Sequence, residues 1–129
     1  MAIDWRSCIW SSSYANMSIE YLYTVEINLT FSIAVKSYGF SGKHHFCVRQ
    51  DYLLEKIAEM TEMLNSLFGE CRISDAESDS YICMSFDGIK LKVVGQLGGS
   101  YNDNHVNFGF KADQTALKLC ADAFGRMLA

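Results

Sequence analysis

From Tyr21 to Lys36 the chain alternates: Tyr21, Tyr23, Val25, Ile27, Leu29, Phe31, Ile33 and Val35 hold the odd positions, with Glu26, Asn28, Thr30, Ser32 and Lys36 between them. Successive side chains of a strand point to opposite faces, so this run creates one apolar and one polar face and commits the chain to a half-buried sheet. The run is longer than the usual strand of about five or six residues, which leaves one long bent strand or two joined by a bulge. Tyr38-Gly39-Phe40-Ser41-Gly42 reads as a turn. Lys43 to Arg49 returns as the partner strand, with Phe46 and Val48 on one face.

The period then changes. Leu53, Ile57, Met60, Leu64 and Leu67 recur at intervals of three and four, the apolar stripe of a helix with Asp51 as its N-cap and Gly69 as its stop. Glu70 to Ser74, Tyr81 to Phe86 and Ile89 to Val94 read as strands, and Asp87-Gly88 predicts a hairpin between the last two. Gly95 to Asn104 reads as a loop and Val106, Phe108 and Phe110 mark another strand. Asp113 is placed to cap a terminal helix that carries Leu117, Cys120, Ala121, Phe124 and Leu128, with Gly125 weakening its end. The expected fold is α+β: a largely antiparallel, strongly bent sheet with two helices packed on one face. At 129 residues, half of them hydrophobic, a single domain spanning 1–129 is expected. Ile27, Leu29, Ile57 and Phe108 are candidate core positions.

Eleven basic against fifteen acidic residues give a net charge of −4, which argues against binding nucleic acid through its phosphates. No apolar run reaches the ~18 residues of a spanning helix, and the opening MAIDWRSCIW lacks a secretory apolar core, so a cytoplasmic protein with no membrane partner is expected. The five cysteines Cys8, Cys47, Cys71, Cys83 and Cys120 form no C-x-x-C pair and read as reduced thiols.

Three stretches imitate ligand motifs and miss their defining positions. In Ser37 to His44 the first glycine of a phosphate-binding loop falls at Ser37 and its closing Ser/Thr at His44, and a hairpin turn offers no helix N-terminus. Gly95-Gln96-Leu97-Gly98-Gly99-Ser100 lacks the dinucleotide spacing. Asp75, Glu77 and Asp79 alternate like calcium ligands, but Ser80 stands where glycine is required and Phe86 where glutamate is. No cofactor or metal is expected. His44, His45 and Cys47 are the nearest approach to a ligand or Cys-His cluster, with His45 and Cys47 on one strand face and His44 on the other. They fall short of the four ligands of a structural zinc site, and a nucleophilic cysteine needs an oriented base and a depressed pKa.

The charge layout is more informative. Between Glu55 and Asp87 eight acids stand against Lys56 and Arg72 alone. Glu55, Glu59 and Glu62, spaced by four and three, form an acidic stripe on the predicted helix. A solvated face explains such a stripe; with Glu70, Asp75, Glu77 and Asp79 it also makes a candidate surface for steering a basic partner.

The stretch Val106-Asn107-Phe108-Gly109-Phe110-Lys111-Ala112-Asp113-Gln114-Thr115-Ala116-Leu117 resembles the strand-Asp-Gln-Thr-helix ending of small bacterial immunity proteins of polymorphic or contact-dependent toxin systems, of the wall-associated-protein immunity type. The likeness extends loosely to the hairpin, the Asp51-Tyr52-Leu53 helix start, the Phe68-Gly69 stop and the later strands. It implies a non-enzymatic, cytoplasmic antidote that binds a cognate toxin C-terminal domain, and it carries no catalytic residues. An acidic surface suits a basic toxin domain, a nuclease being one class that fits. Two alternatives stand beside it. One is a small Cys/His-dependent hydrolase or transferase using Cys47 and His45 or the loop around Asn102, Asp103, Asn104 and His105. The other is a structural module that self-assembles through an exposed strand edge.

Overall fold

The computed structural model describes residues 4–99 and 104–129. Strands β1 (Arg6–Ser11), β2 (Ala15–Val25), β3 (Asn28–Ser37) and β4 (Phe40–Arg49) form one antiparallel meander, followed by helix α1 (Gln50–Ser66). Strands β5 (Glu70–Ser74), β6 (Tyr81–Asp87), β7 (Lys90–Gly98) and β8 (His105–Ala112) form a second, followed by helix α2 (Gln114–Met127). The fold is α+β and its strand pairs are antiparallel. Instead of one bent sheet, hydrogen bonding divides the strands into two sheets of four.

The halves reciprocate. Helix α1 packs on β5, the first strand of the other half, and α2 packs on β1; the helices also pack on each other, and strand β4 packs against β7 and β8. Gly42 of β4 lies against Val106 of β8 and Leu97 of β7 at that approach. Phe31 joins the layers: its ring stacks on Phe46 at 5.4 Å and meets Phe124 of α2 edge-on at 5.0 Å, all three fully buried. Arg126 of α2 donates to the Ser7 hydroxyl of β1.

The alternating run from Tyr21 to Lys36 is a hairpin, not one long strand. Its turn is Glu26-Ile27, with Glu26 at φ 58°. Across a two-residue turn an odd position pairs with an even one, as Thr24 does with Leu29. A bulge between Tyr21 and Tyr23 shifts the register by one, so Tyr21 pairs with Phe31 and Ile19 with Ile33. Beyond the bulge the two shifts cancel, and Met17 and Ile19 reach the core with Leu29, Phe31, Ile33 and Val35, whereas Tyr23 and Val25, between bulge and turn, are exposed. Ile27, expected in the core, therefore sits in the turn and is 47% exposed, whereas Leu29 is fully buried and Phe108 nearly so, with Ile57 half-buried.

Helix boundaries move for local reasons. The N-cap of α1 is Arg49, with no side-chain cap; Asp51 lies in the first turn, where its carboxylate pairs with Arg49 at 3.0 Å and accepts from the Tyr52 N–H. The hydrogen bond from Arg49 holds the Asp51 carboxyl below its usual range. Leu67, expected on the buried stripe, is the left-handed C-cap at φ 55° and lies exposed, its N–H bonded to the Met63 carbonyl, so the helix stops ahead of Gly69. The second hairpin turns on Gly88-Ile89, one residue later than Asp87-Gly88, because Asp87 pairs with Lys90. Strand β7 runs on to Gly98, into the glycine-bearing stretch read as loop. Asp113 does cap α2, accepting from the Thr115 N–H at 2.8 Å.

Surface substitutions free of special contacts change stability by less than about 0.5 kcal/mol, while Leu→Ala in a core costs about 2–5 kcal/mol. Urea melts should accordingly leave Ile27→Asp near wild type and shift Leu29→Ala strongly; the reverse order would contradict this register.

Candidate functional site

The β5–β6 loop crosses to the other sheet and is anchored there by Asp75. The Asp75 side chain is 3% exposed. Its Oδ1 accepts from the backbone N–H of Cys47 at 2.9 Å and of Glu77 at 3.2 Å, and its Oδ2 accepts from the Ser78 hydroxyl at 2.6 Å. The Ala76 N–H donates to the Cys47 carbonyl at 3.0 Å. Both main-chain groups of Cys47, on the outer row of edge strand β4, are thus satisfied by a loop of the second sheet. A buried carboxylate is tolerated where hydrogen bonds occupy its oxygens, as here. Asp75 is therefore no part of an accessible acidic surface; it clasps the two sheets.

Serine, histidine and aspartate meet at this clasp, but not as a relay. His44 Nε2 lies 3.4 Å from the Ser78 Oγ and 3.8 Å from Asp75 Oδ2. A nucleophilic relay has serine donating to one imidazole nitrogen while the carboxylate holds the other. Here the serine proton goes to the carboxylate, and one ring nitrogen faces both partners. The arrangement fixes a loop.

On the opposite face of β4, His45 and Cys47 line a cleft of about 320 Å³ with Tyr23, Val25, Thr30 and Glu77. Neighbours on one strand face are spaced about 6.6 Å along the backbone, twice the reach of a nucleophile–base hydrogen bond of about 2.6–3.2 Å. No hydrogen bond joins the two side chains among the described residues, and no group of three or more His, Cys, Asp or Glu there is placed to hold a metal. Of the alternative loop, Asn102 and Asp103 lie outside the described residues, while Asn104 and His105 are exposed. Burial pushes the Cys71 thiol up to about 12 and raises Cys120 further, and burial followed by the Glu70 charge raises Cys83, so none of these three is a ready thiolate.

The remaining acids fall in separate places. Glu55, Glu59 and Glu62 are exposed along one flank of α1, where Lys56 reaches Glu59 at 3.1 Å. That flank adjoins β5, because the Tyr52 hydroxyl of the same helix accepts from the Ser74 N–H at 3.0 Å. Glu70 is exposed at the start of β5, Glu77 lines the His45/Cys47 cleft, and Asp79 is exposed beside Gly99, to whose carbonyl its N–H donates. The burial of Asp75 was not evident from the alternating acids, although an Asp three residues before a Ser is a pattern in which side chains bond nearby backbone. No protein-family model matches the chain, and no curated protein or solved structure is significantly similar to it.

Removing the Asp75 carboxylate leaves the part-buried N–H donors of Cys47 and Glu77 without their partner, at about 1 kcal/mol or more. Asp75→Ala should therefore lower the urea midpoint clearly, and His45→Ala, on an exposed side chain, should not; equal midpoints would show that the clasp is idle. Native alkylation at pH 8 should label exposed Cys8 and spare Cys71 and Cys120 until the chain unfolds. The raised thiols also fix a sign: their contribution to stability is whole below the unfolded thiol value of 9.0 and is lost as pH rises through the folded value, about 12 for Cys71. Replacing Cys71 with alanine should flatten that alkaline slope.

Proposed function

We propose that this chain is a non-enzymatic binding protein, an immunity-type antidote whose acidic α1 flank docks a basic toxin domain. One observation carries the reading: Glu55, Glu59 and Glu62 project together from a helix whose opposite side is anchored in the core through Leu53, Met60 and Met63. Lys56 is the one cation bonded to the stripe among the described residues, so its negative field is largely uncompensated. A rigid acidic helix flank steers a positively charged partner to one orientation, and for a nuclease it would occupy the phosphate-binding groove. Glu70, Glu77 and Asp79 lie apart from the stripe and add only to the overall negative charge, and Asp75 acts only through loop shape. The resemblance of Val106 to Leu117 to immunity-protein endings supports the same reading.

The gene neighbourhood is the first test: a secreted protein with a C-terminal toxin domain should be encoded next to this chain, and co-expression should protect cells from that domain. Reversing Glu55, Glu59 and Glu62 to lysine should slow association with it about ten-fold or more, a typical scale for electrostatic steering. The melting curve should stay unchanged. Salt should weaken the wild-type complex, because the screening length shrinks from about 10 Å at 0.1 M to about 3 Å at 1 M. Undiminished association by the triple variant, at low and high salt alike, removes the acidic flank from recognition.

A further inference from the structure

A second site of opposite charge lies at the hairpin tips of the first sheet. The β1–β2 and β3–β4 turns touch there: the Tyr38 N–H donates to the Tyr14 carbonyl at 2.9 Å, and the two rings stack with centroids 5.7 Å apart, inclined by 20°. Both rings are about two-thirds exposed, Tyr14 at 67% and Tyr38 at 68%. Tyr38 holds φ 52° and Gly39 φ 91°, so both central residues of that turn are left-handed. Such turns ordinarily place Asn, Asp or Gly first, and a bulky residue with positive φ is an outlier. The chain keeps a strained backbone at a position that displays an aromatic ring to solvent, a combination that clusters at functional sites.

Beneath this pair lies a cleft of about 390 Å³ whose far wall is the outer face of the second sheet, with Lys92 and Val94 from β7 and Gly109 and Lys111 from β8. The β3–β4 tip is moored to that wall by the Ser37 hydroxyl, which donates to the Gly109 carbonyl. Gly109 leaves the floor open: a Cβ there would stand 3.4 Å from a Val94 methyl. Lys92 and Lys111 are directly opposite in the β7–β8 register, both exposed, and neither forms an ion pair among the described residues. The cross-strand row that holds Lys111 and Lys92 continues through Ser85 to Glu70, so a whole strand separates the lysine pair from the acid of its own row, and Asp113 is spent capping α2. Like charges directly opposite on adjacent strands destabilise a sheet, so the pair calls for an anion.

We infer that the Tyr14/Tyr38–Lys92/Lys111 cleft binds a small planar anion of the nucleoside-monophosphate class, its ring against the tyrosine pair and its phosphate between the two ammonium groups. A dianionic phosphate matches two facing lysines. Aromatic faces stack any base, which makes the contact tolerant of base identity. The volume falls at the low end of small-ligand sites, which run about 300–1,000 Å³, and so fits one nucleotide rather than a polymer.

The probe is AMP, with adenosine and inorganic phosphate as separate arms and a glutamate-rich peptide as the competing acidic ligand, each titrated into the full chain and followed by amide shifts. AMP should move Tyr14, Tyr38 and Gly109 together and bind at least about ten-fold more tightly than any other arm, a factor worth about 1.4 kcal/mol. Tyr14→Ala should reduce AMP binding to the level of phosphate, and Lys92→Gln or Lys111→Gln to the level of adenosine. Each lysine substitution alone should also raise the urea midpoint by relieving repulsion, a readout independent of any ligand. The inference is overturned if phosphate or adenosine alone matches AMP, if the peptide binds more tightly, or if AMP shifts map away from the cleft.

Discussion

Each four-stranded meander ends in two open edges, and an open edge presents a row of unpaired amides and carbonyls that invites another chain. The architecture is organised around covering them. Helix α1 follows β4 but packs on β5, α2 follows β8 but packs on β1, and β4 packs against β7 and β8. Each half therefore needs the other: the helix at the end of one meander covers the first strand of the next. The same exchange brings Phe31, Phe46 and Phe124 from three elements into one cluster. Individual edge groups are satisfied directly across the halves: Cys47 of β4 by the Asp75 loop and the Ser74 N–H of β5 by the Tyr52 hydroxyl of α1.

The β4 edge carries the additional Asp75 clasp, and its chemistry shows why residue identity alone misleads. Serine, histidine and aspartate within 4 Å satisfy a search for a hydrolytic relay, yet the direction of the hydrogen bonds decides their role. With the Ser78 proton on the Asp75 carboxylate and two backbone donors on the other oxygen, the aspartate is spent on the main chain of Cys47 and its own loop. It serves as a stand-in for a missing strand partner.

Elements bounded by turn residues were legible in the sequence: β5 begins and ends where alternation begins and ends, and Asp113 caps α2 because a strand run gives way there to a helical stripe. Strand β1 and the start of β2 gave no such signal, because Ser11, Ser12 and Ser13 interrupt them and Arg6–Ser11 buries little besides Ile9. The β2–β3 turn was invisible for a stricter reason, since a bulge and a two-residue turn cancel in parity and preserve the period of a single strand. At the candidate sites, local spacing displayed the acidic stripe of α1 but not the fate of Asp75, whose decisive partner is a backbone amide 28 residues away. Lys92 and Lys111 likewise acquire meaning only when the register of β7 and β8 sets them face to face.

That register also changes what the net charge implies. A total of −4 averages over two regions that lie on different strands and helices of the fold. The acids of α1 lie on a flank adjoining β5, at one edge of the second sheet, whereas the facing lysines lie on β7 and β8, toward its other edge. Strand β6 lies between β5 and β7, and at about 4.7–4.9 Å per strand their backbones are about 10 Å apart, well beyond hydrogen-bond reach. Screening at physiological salt acts over about 8 Å and weakens what long-range attraction remains. The charge is therefore distributed unevenly, with the acids of α1 beside β5 and the facing lysines on β7 and β8.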